Sequence, residues 1–194
     1  MKLTNLKFFL TILFSSLYLI TTSQAEDARD LQVEGISIGD NLTKYMSKEE
    51  IFKYAQGHYP KKSKFFEKQL PFSKGNYDYM LFHIKRNDKN FEIYLIRAVS
   101  VVSNLNKCMS KKKIVLAEMK SLIPNVNFRQ GNQKHYFYKN TTQNISQFEF
   151  KNGDIAKLEC IIYDEKDKEI HGELIDVFEL SIGTSELFKW LETL

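Results

Sequence analysis

The sequence predicts a single α+β domain, in which an antiparallel sheet of about six strands carries three or four helices. Stretches with an apolar residue at every second position, typical of half-buried strands, follow one another with polar turns between them. The segments with helical character stand apart from these stretches and do not alternate with them, which disfavours a parallel βαβ arrangement. The chain also has the length of one ordinary domain with one substantial core.

The first 25 residues have the composition of a secretory signal peptide. Lys2 and Lys7 precede an apolar run over residues 8–20, and Ser23-Gln24-Ala25 provides a small-residue end before Glu26. The run is about 13 residues long, shorter than the roughly 20 that a membrane-spanning helix needs. We therefore expect cleavage near Ala25, a soluble exported domain over residues 26–194, and no transmembrane segment in the mature protein.

The mature N-terminus is predicted to form a turn and a short helix. Asp40 can cap a short helical turn. Ser47 and Glu50 match a capping box, because the serine hydroxyl can accept from the third amide while the glutamate reaches back to the cap amide. A helix is expected over residues 48–56, with Gly57 ending it.

Residues 58–76 contain two prolines and several lysines, and they are predicted to form a long solvated connection that Phe65 and Phe66 pin to the domain. Clustered lysines raise the local positive potential, so this group could instead attract a polyanion or an anionic lipid. The group consists of Lys61, Lys62, Lys64 and Lys68.

A hairpin and a helix are predicted next. A strand is expected over residues 77–85, where Met80, Phe82 and Ile84 share one face. Its hairpin partner is expected over residues 91–103, which are rich in β-branched and aromatic residues, and a polar turn joins the two. Ser110 can cap a helix over residues 111–122. Its opening Lys111-Lys112-Lys113 would oppose the helix dipole, and it forms a second lysine cluster that is either a solvated face or an anion-attracting patch.

The C-terminal half is β-rich. Asn152-Gly153 is predicted to form a two-residue hairpin turn, since both residues tolerate a positive φ. Residues 164–169 are expected to form a longer polar turn. Thr184 or Ser185 can cap a final helix that carries Leu187. Four strands are predicted here, over residues 134–139, 146–150, 155–163 and 174–182.

The two cysteines, Cys108 and Cys160, both lie in the predicted exported part. An even count in an oxidising compartment favours one disulfide. Two unpaired buried thiols are the main alternative. Metal ligation is the least favoured alternative, because neither cysteine has a second cysteine or a histidine at ligand spacing.

One motif suggests serine catalysis. Gly35-Ile36-Ser37-Ile38-Gly39 matches the G-x-S-x-G pattern of a nucleophile elbow. Such an elbow sits on a sheet built from several preceding strands, and only nine residues separate the expected mature N-terminus from Gly35. A glycine-flanked turn is therefore the favoured interpretation, and no catalytic residue is assigned.

No metal or cofactor site is predicted. None of the histidines forms a metal-binding pair at helical spacing; they are His58, His83, His135 and His171. His171-Gly172-Glu173 lacks the P-C-x-x-C that accompanies H-x-E in zinc deaminases. Asp164-Glu165-Lys166-Asp167 places a lysine where a calcium loop needs an oxygen ligand. Phosphate-loop, dinucleotide and H-E-x-x-H motifs have no match, so none of those chemistries has motif support.

The charge of the mature domain argues against a nucleic-acid partner. The whole chain carries 28 basic and 24 acidic residues, and removal of Lys2 and Lys7 with the signal segment leaves a net charge of +2. Aromatic residues in predicted strands suggest either core packing or an exposed partner surface. They are Tyr136, Phe137, Tyr138, Phe148 and Phe150.

Two stretches of the sequence resemble a group of uncharacterised small exported bacterial proteins. The first is Gly35-Ile36-Ser37-Ile38-Gly39-Asp40-Asn41-Leu42, followed by Tyr45-Met46-Ser47-Lys48-Glu49-Glu50-Ile51, where the group has G-x-S-I-G-D-S-L, an aromatic residue and S-x-E-E-I. Three later parts are similar as well: Cys108, Cys160-Ile161-Ile162-Tyr163-Asp164, and the closing Leu180-Ser181-Ile182 with Phe188 and Leu191 after it. The resemblance implies a bacterial, periplasmic setting and no known activity.

Three functional hypotheses follow. The leading one is a non-enzymatic periplasmic module that binds an envelope protein or a cell-wall component. The second is an enzyme whose histidines and carboxylates converge in a deep pocket. The third is a small-ligand carrier or an inhibitor of another protein, for which an apolar cavity near Tyr77, Tyr79 or Tyr138 is expected.

Overall fold

The computed structural model describes residues 25–53, 63–71 and 75–193. These residues form one antiparallel sheet of seven strands and four α-helices, which confirms the predicted α+β class and adds one strand to it. The helices are α1 Lys48–Lys53, α2 Leu105–Leu122, α3 Glu165–His171 and α4 Ser185–Leu191. The strands are β1 Phe65–Pro71, β2 Tyr79–Lys85, β3 Ile93–Val101, β4 Asn127–Lys134, β5 Thr142–Glu149, β6 Ile155–Ile162 and β7 Val177–Gly183.

The sheet has the order β1-β2-β3-β7-β6-β5-β4. Two three-stranded meanders therefore flank β7, which pairs antiparallel with β3 on one side and with β6 on the other. All seven residues of β7 are buried, as expected for the central strand. Helix α2 connects β3 to β4 at the far edge, so β1 and β4 are the two edge strands.

One face of the sheet packs on α2 and on residues 25–53 to form the main core. The N-terminal segment is held to the sheet by backbone hydrogen bonds, among them Ile93 N–H to the carbonyl of Asp40 at 2.9 Å. Helix α2 packs on β6 and β7. The Sγ atoms of Cys108 and Cys160 lie 2.04 Å apart, so the cystine predicted from the sequence joins α2 to β6.

The opposite face is covered at one end by α4. Thr184 caps this helix as predicted, and Leu187 is fully buried against Phe65 and Leu95. Trp190 packs on the Phe65 ring, with 5.1 Å between the ring centroids. The middle of this face carries charged residues, described below.

Strand β1 corrects the prediction of a long connection over residues 58–76. Phe66, Lys68 and Leu70 alternate toward the main core, and Lys68 is buried there. The sequence pattern did not reveal this strand, because its core-facing positions include the charged residue Lys68. Pairing with β2 gives the segment its strand conformation. Phe65 and Phe66 are buried, as expected, while residues 54–62 and 72–74, including His58, lie outside the described residues.

Helix α2 begins six residues before the predicted start at residue 111. Asn104 is its N-cap, and its side-chain oxygen accepts from the Lys107 N–H at 3.0 Å. The lysine cluster at residues 111–113 consequently lies beyond the first turn, where the helix dipole does not oppose it.

Strand β4 was predicted at residues 134–139 and lies instead at Asn127–Lys134. All eight of its residues are exposed, so it has no hydrophobic alternation that a sequence pattern could reveal. Pairing with β5 through eight successive positions is what defines it. Residues 135–140 form the turn that follows.

Two turns also differ from expectation. Residues 164–169 were predicted as a polar turn, but Asp164 caps α3 by accepting from Lys166 N–H. At Asn152-Gly153 only the glycine has a positive φ, +82°, and Phe150 pairs with Asp154 around a three-residue loop. Helix α1 follows the predicted capping box and is described as far as Lys53, so the predicted end at Gly57 lies outside the described residues.

Candidate functional site

The Ser37 hydroxyl is engaged in a turn. It donates to the Leu31 carbonyl at 2.9 Å, and the Ser37 N–H donates to the Asp40 carboxylate at 3.1 Å. Gly35 and Gly39 both have positive φ values, near +80°, which only a glycine adopts readily. This geometry agrees with a glycine-flanked turn and gives Ser37 no elbow on top of a sheet.

The three histidines in the described part of the chain do not share one pocket. His83 is fully buried, with Nε2 3.3 Å from Glu67, and burial, followed by the nearby Arg97 charge, lowers its pKa to about 3. His135 accepts two backbone N–H groups at Nδ1, and burial lowers its pKa to about 4. His171 ends α3 and touches Tyr138, which also contacts His135.

A charged network crosses the sheet face opposite α2. Arg97 on β3 binds Glu179 on β7 through two hydrogen bonds of 2.8 and 2.6 Å, and it lies 3.2 Å from Glu67 on β1. Ser181 donates to Glu179 at 2.6 Å. Glu179 directly faces Glu159 on β6 across the strands. The sequence pattern did not reveal this network, because its members come from four separate strands.

The pKa values of the two facing carboxyls, Glu159 and Glu179, shift in opposite directions. Burial raises the pKa of Glu159, even though Lys157 lies 2.9 Å from it. Burial would also raise the pKa of Glu179, but the charge and hydrogen bonds of Arg97 outweigh it and hold that pKa at about 2. Arg97 thus neutralises carboxylates of the protein itself, and these groups hold one another in place.

A small pocket of about 180 Å³ lies above this network. Arg97 and Glu179 form part of its floor, and Tyr79 and Tyr163 line it. Among the described residues, none of the histidines lines this pocket. The convergence of histidines and carboxylates that the enzyme hypothesis requires is therefore not formed here.

A larger groove, of about 710 Å³, runs between α2 and the β4–β5 hairpin. Met109 and Leu116 on α2 give it an apolar wall, and Lys113 stands at its exposed rim. The hairpin forms the other wall through Gly131 and four polar residues, Gln130, Asn132, Asn144 and Ser146. Asn106 and Ser110 on α2 complete the lining.

Lys112 forms the floor of the groove. Its Nζ donates to the backbone carbonyl of Asn144 at 2.9 Å and to the side-chain oxygen of the same residue at 2.8 Å. Burial lowers the pKa of this amine to about 8. Asn144 in turn donates to Asn132 at 2.6 Å, so the floor is tied to β4.

The outer edge of β4 borders the groove. Two contacts show which residues of the strand, odd- or even-numbered, direct their backbone N–H and C=O groups toward that edge. His135 N–H donates to Thr141 just beyond the Lys134–Thr142 pair, and Phe150 N–H donates to Asp154 at the other end of β5. Because hydrogen-bonded and non-hydrogen-bonded pairs alternate, the even-numbered residues of β4 direct N–H and C=O outward. They are Phe128, Gln130, Asn132 and Lys134.

No strand in the described part of the chain covers this edge. The strand has eight residues in unbroken register with β5 and lacks the proline or bulge that closes many edges. Of the devices that protect an edge it has charged side chains, Arg129 and Lys134, which disfavour pairing with another basic strand. Gly131 is open at its centre, since a Cβ there would meet nothing within 4 Å. The edge is thus a free template for a further strand.

The described members of the two lysine clusters do not form continuous patches. Lys111 donates to the Asn76 carbonyl, Lys112 is buried under the groove, and only Lys113 of the three is exposed at it. In the other group Lys68 is buried, and Lys64 pairs with Glu186 at 2.7 Å; Lys61 and Lys62 lie outside the described residues.

The aromatic residues divide between core and surface. Phe148 and Phe150 belong to the main core, and Tyr138 packs among His135, Tyr163 and His171. Tyr136 and Phe137 are 54% and 60% exposed in the turn after β4, not in the strand predicted there. Two exposed aromatic rings therefore stand at the end of the open edge.

Comparison of the chain with protein-family models, with curated proteins and with solved structures finds no match. Within the described ranges, no helix has the length and apolarity needed to cross a bilayer. Those same ranges hold no cluster of three or more histidine, cysteine, aspartate or glutamate residues arranged to bind a metal ion.

Proposed function

We propose that this chain is a non-enzymatic binding module, exported to the bacterial periplasm, that captures a partner polypeptide in the groove between α2 and β4. The observation that carries the proposal is the open outer edge of β4 beside that groove. The signal-like N-terminal segment and the Cys108–Cys160 pair support an oxidising, exported location.

The side chains that could serve catalysis are engaged in hydrogen bonds within the fold, which favours a binding function over an enzymatic one. The Ser37 hydroxyl is used in its turn, Arg97 is occupied by Glu67 and Glu179, and His135 accepts two backbone amides. Each of these polar groups stabilises the fold. The β4 edge, in contrast, offers backbone groups to a partner, as in proteins that bind peptides by strand addition.

Site-specific photocrosslinking tests this proposal. A benzophenone amino acid replaces Met109, which is 39% exposed on the groove wall. The matched control carries it at Phe52 on α1, an exposed ring that packs against Phe91 just before β3 and lies outside the groove. Irradiation of intact cells that produce the protein should give a protein adduct from position 109 and not from position 52.

A second pair of variants links the adduct to the strand edge. Gln130→Pro removes one outward N–H, and Gln130→Thr keeps it; a proline is tolerated where the amide faces solvent. We expect the adduct to disappear in Gln130→Pro and to persist in Gln130→Thr, with both variants folded by circular dichroism. An adduct with lipid or glycan, equal labelling from both benzophenone positions, or indifference to the proline would contradict the proposal.

A further inference from the structure

We infer that the partner segment is an acidic, extended peptide that pairs antiparallel with β4 as an eighth strand of the sheet. This inference rests on the proposed function and specifies the chemistry of what the groove takes. It follows from three features of the groove: the outward backbone groups of the even-numbered β4 residues, the positive charge of the surroundings, and the apolar surface on the wall.

The edge determines which residues of the incoming strand enter the groove. The even-numbered residues of β4 direct their backbone outward, and their side chains lie on the α2 side of the sheet, as Phe128 shows by packing on Phe148. In an antiparallel pair, opposed residues share one face and exchange both hydrogen bonds. The residues of the peptide that bond to Gln130 and Asn132 therefore place their side chains in the groove.

The surroundings of the groove are positively charged. Among the described residues, every one that lines it is neutral or basic. Two further cations lie on this side of the sheet: Lys134 at the end of β4, and Lys120, whose Nζ stands 4.2 Å from the centre of the Phe128 ring beside the groove. Arg129 lies on the same strand, but its side chain is on the opposite face, where it donates to Gln147. A carboxylate on the incoming strand gains favourable interactions here, whereas a cation is repelled.

The same charge disfavours a second copy of this chain as the occupant. Antiparallel pairing of β4 with β4 of another molecule would bring Arg129 and Lys134 of both strands to one seam. β4 has no acidic residue to compensate them. Two strands that each carry only positive charge repel one another, so the complementary partner is a different, acidic segment.

The wall of the groove accommodates the aliphatic part of such side chains. On the wall, Met109 is 39% exposed and Leu116 is half-buried, and beside the groove the Phe128 ring is 37% exposed. A glutamate has two methylene groups that can pack there while its carboxylate reaches Lys113 at the rim. Tyr136 and Phe137 extend the contact surface at the end of the strand.

The test uses synthetic eight-residue peptides, matched to the length of β4, in which glutamate alternates with valine, threonine or leucine. A control set has lysine in place of glutamate. Binding is measured by fluorescence anisotropy of labelled peptide on the full protein. We expect the acidic set to bind at least about tenfold more tightly than the basic set, with a difference that shrinks at high salt.

Backbone N-methylation distinguishes strand pairing from simple charge attraction. In the antiparallel arrangement only the glutamate amides bond to β4, so N-methylation at the glutamates should abolish binding and N-methylation at the alternate residues should leave it. Equal effects of the two modifications, the reverse order, or no binding of the acidic set at millimolar protein would overturn the inference.

A charge reversal at the rim adds a control on the protein side. Lys113→Glu should weaken binding of the acidic peptide about tenfold, while Lys189→Glu on α4 leaves it unchanged. If the peptides fail but position 109 still crosslinks a polypeptide, the inference is wrong and the proposed function stands. If position 109 gives no protein adduct, the proposed function itself is wrong.

Discussion

Replacement of Arg97 by methionine tests whether the charged network on the sheet face holds the strands together. The guanidinium contacts Glu67 on β1 and Glu179 on β7, so it links three strands through two buried carboxylates. Methionine keeps most of the side-chain volume and removes the charge. Glu179, only 3% exposed, would then face Glu159 without its counter-ion.

The expected loss is large for a single substitution. Removal of one partner of a buried ion pair costs about 3–5 kcal/mol, because the remaining charge stays buried without compensation. For a domain of this size, each kcal/mol shifts the melting temperature by about 2–4 °C. We therefore expect Arg97→Met to melt roughly 6–20 °C below the wild type.

The pH dependence has a defined sign. In the wild type the pKa of Glu179 is lowered to about 2, so its contribution to stability is complete above the ordinary carboxyl pKa and is lost as the pH falls toward 2. Without Arg97, burial raises that pKa, and the carboxyl can escape the penalty by taking up a proton. The stability difference between wild type and variant should hence be greatest near pH 7 and smaller near pH 4.

Urea unfolding at both pH values measures this difference, with the single Trp190 as the fluorescent probe. Arg129→Met is the matched control, since that arginine lies on the exposed edge strand and donates to Gln147. Adding Glu179→Gln to Arg97→Met should recover part of the loss. A deficit below about 1 kcal/mol, or one that is equal at pH 4 and pH 7, would refute the reasoning.

Three further predictions concern stability, each measured by urea unfolding. Replacing both Cys108 and Cys160 by alanine should cost about 4 kcal/mol from the loop of 52 residues that they close, and a loss below 1 kcal/mol would contradict this. Gly183→Ala places a Cβ 2.6 Å from a leucine side chain and should cost about 1–3 kcal/mol, whereas Gly131→Ala, in open space, should change stability by less than about 0.5 kcal/mol. Asn104→Ala removes the cap of α2 and should cost about 1 kcal/mol, and an unchanged midpoint would argue against that cap.

The sequence predicted best those elements whose own pattern matches their environment. β2 is a nearly continuous apolar run because both of its faces are covered, and α4 follows a threonine cap. β4 could not be predicted in this way, since its residues are polar and exposed and only its pairing with β5 gives it structure. β1 was obscured by Lys68, a charged residue whose burial depends on tertiary contacts.

The candidate site was even less accessible to sequence reasoning. The groove combines one stripe of α2 with the edge of a hairpin, and the start of α2 was predicted too late to reveal that stripe. The lysine cluster at residues 111–113 indicates either a solvated face or an anion-attracting patch from sequence alone, but helical geometry sends its members in three directions. Asn104 before the helix was the signal that could have corrected the start.

Amide hydrogen exchange along β4 tests the central claim most directly. In the free protein the outward amides of Phe128, Gln130, Asn132 and Lys134 should exchange fast, while Gly131 and its odd-numbered neighbours, bonded to β5, exchange slowly. On addition of the acidic peptide, or of the crosslinked partner once purified, the even-numbered amides should become protected. Protection of those amides in the free protein, or none on binding, would contradict the account of β4 as an open edge that receives a partner strand.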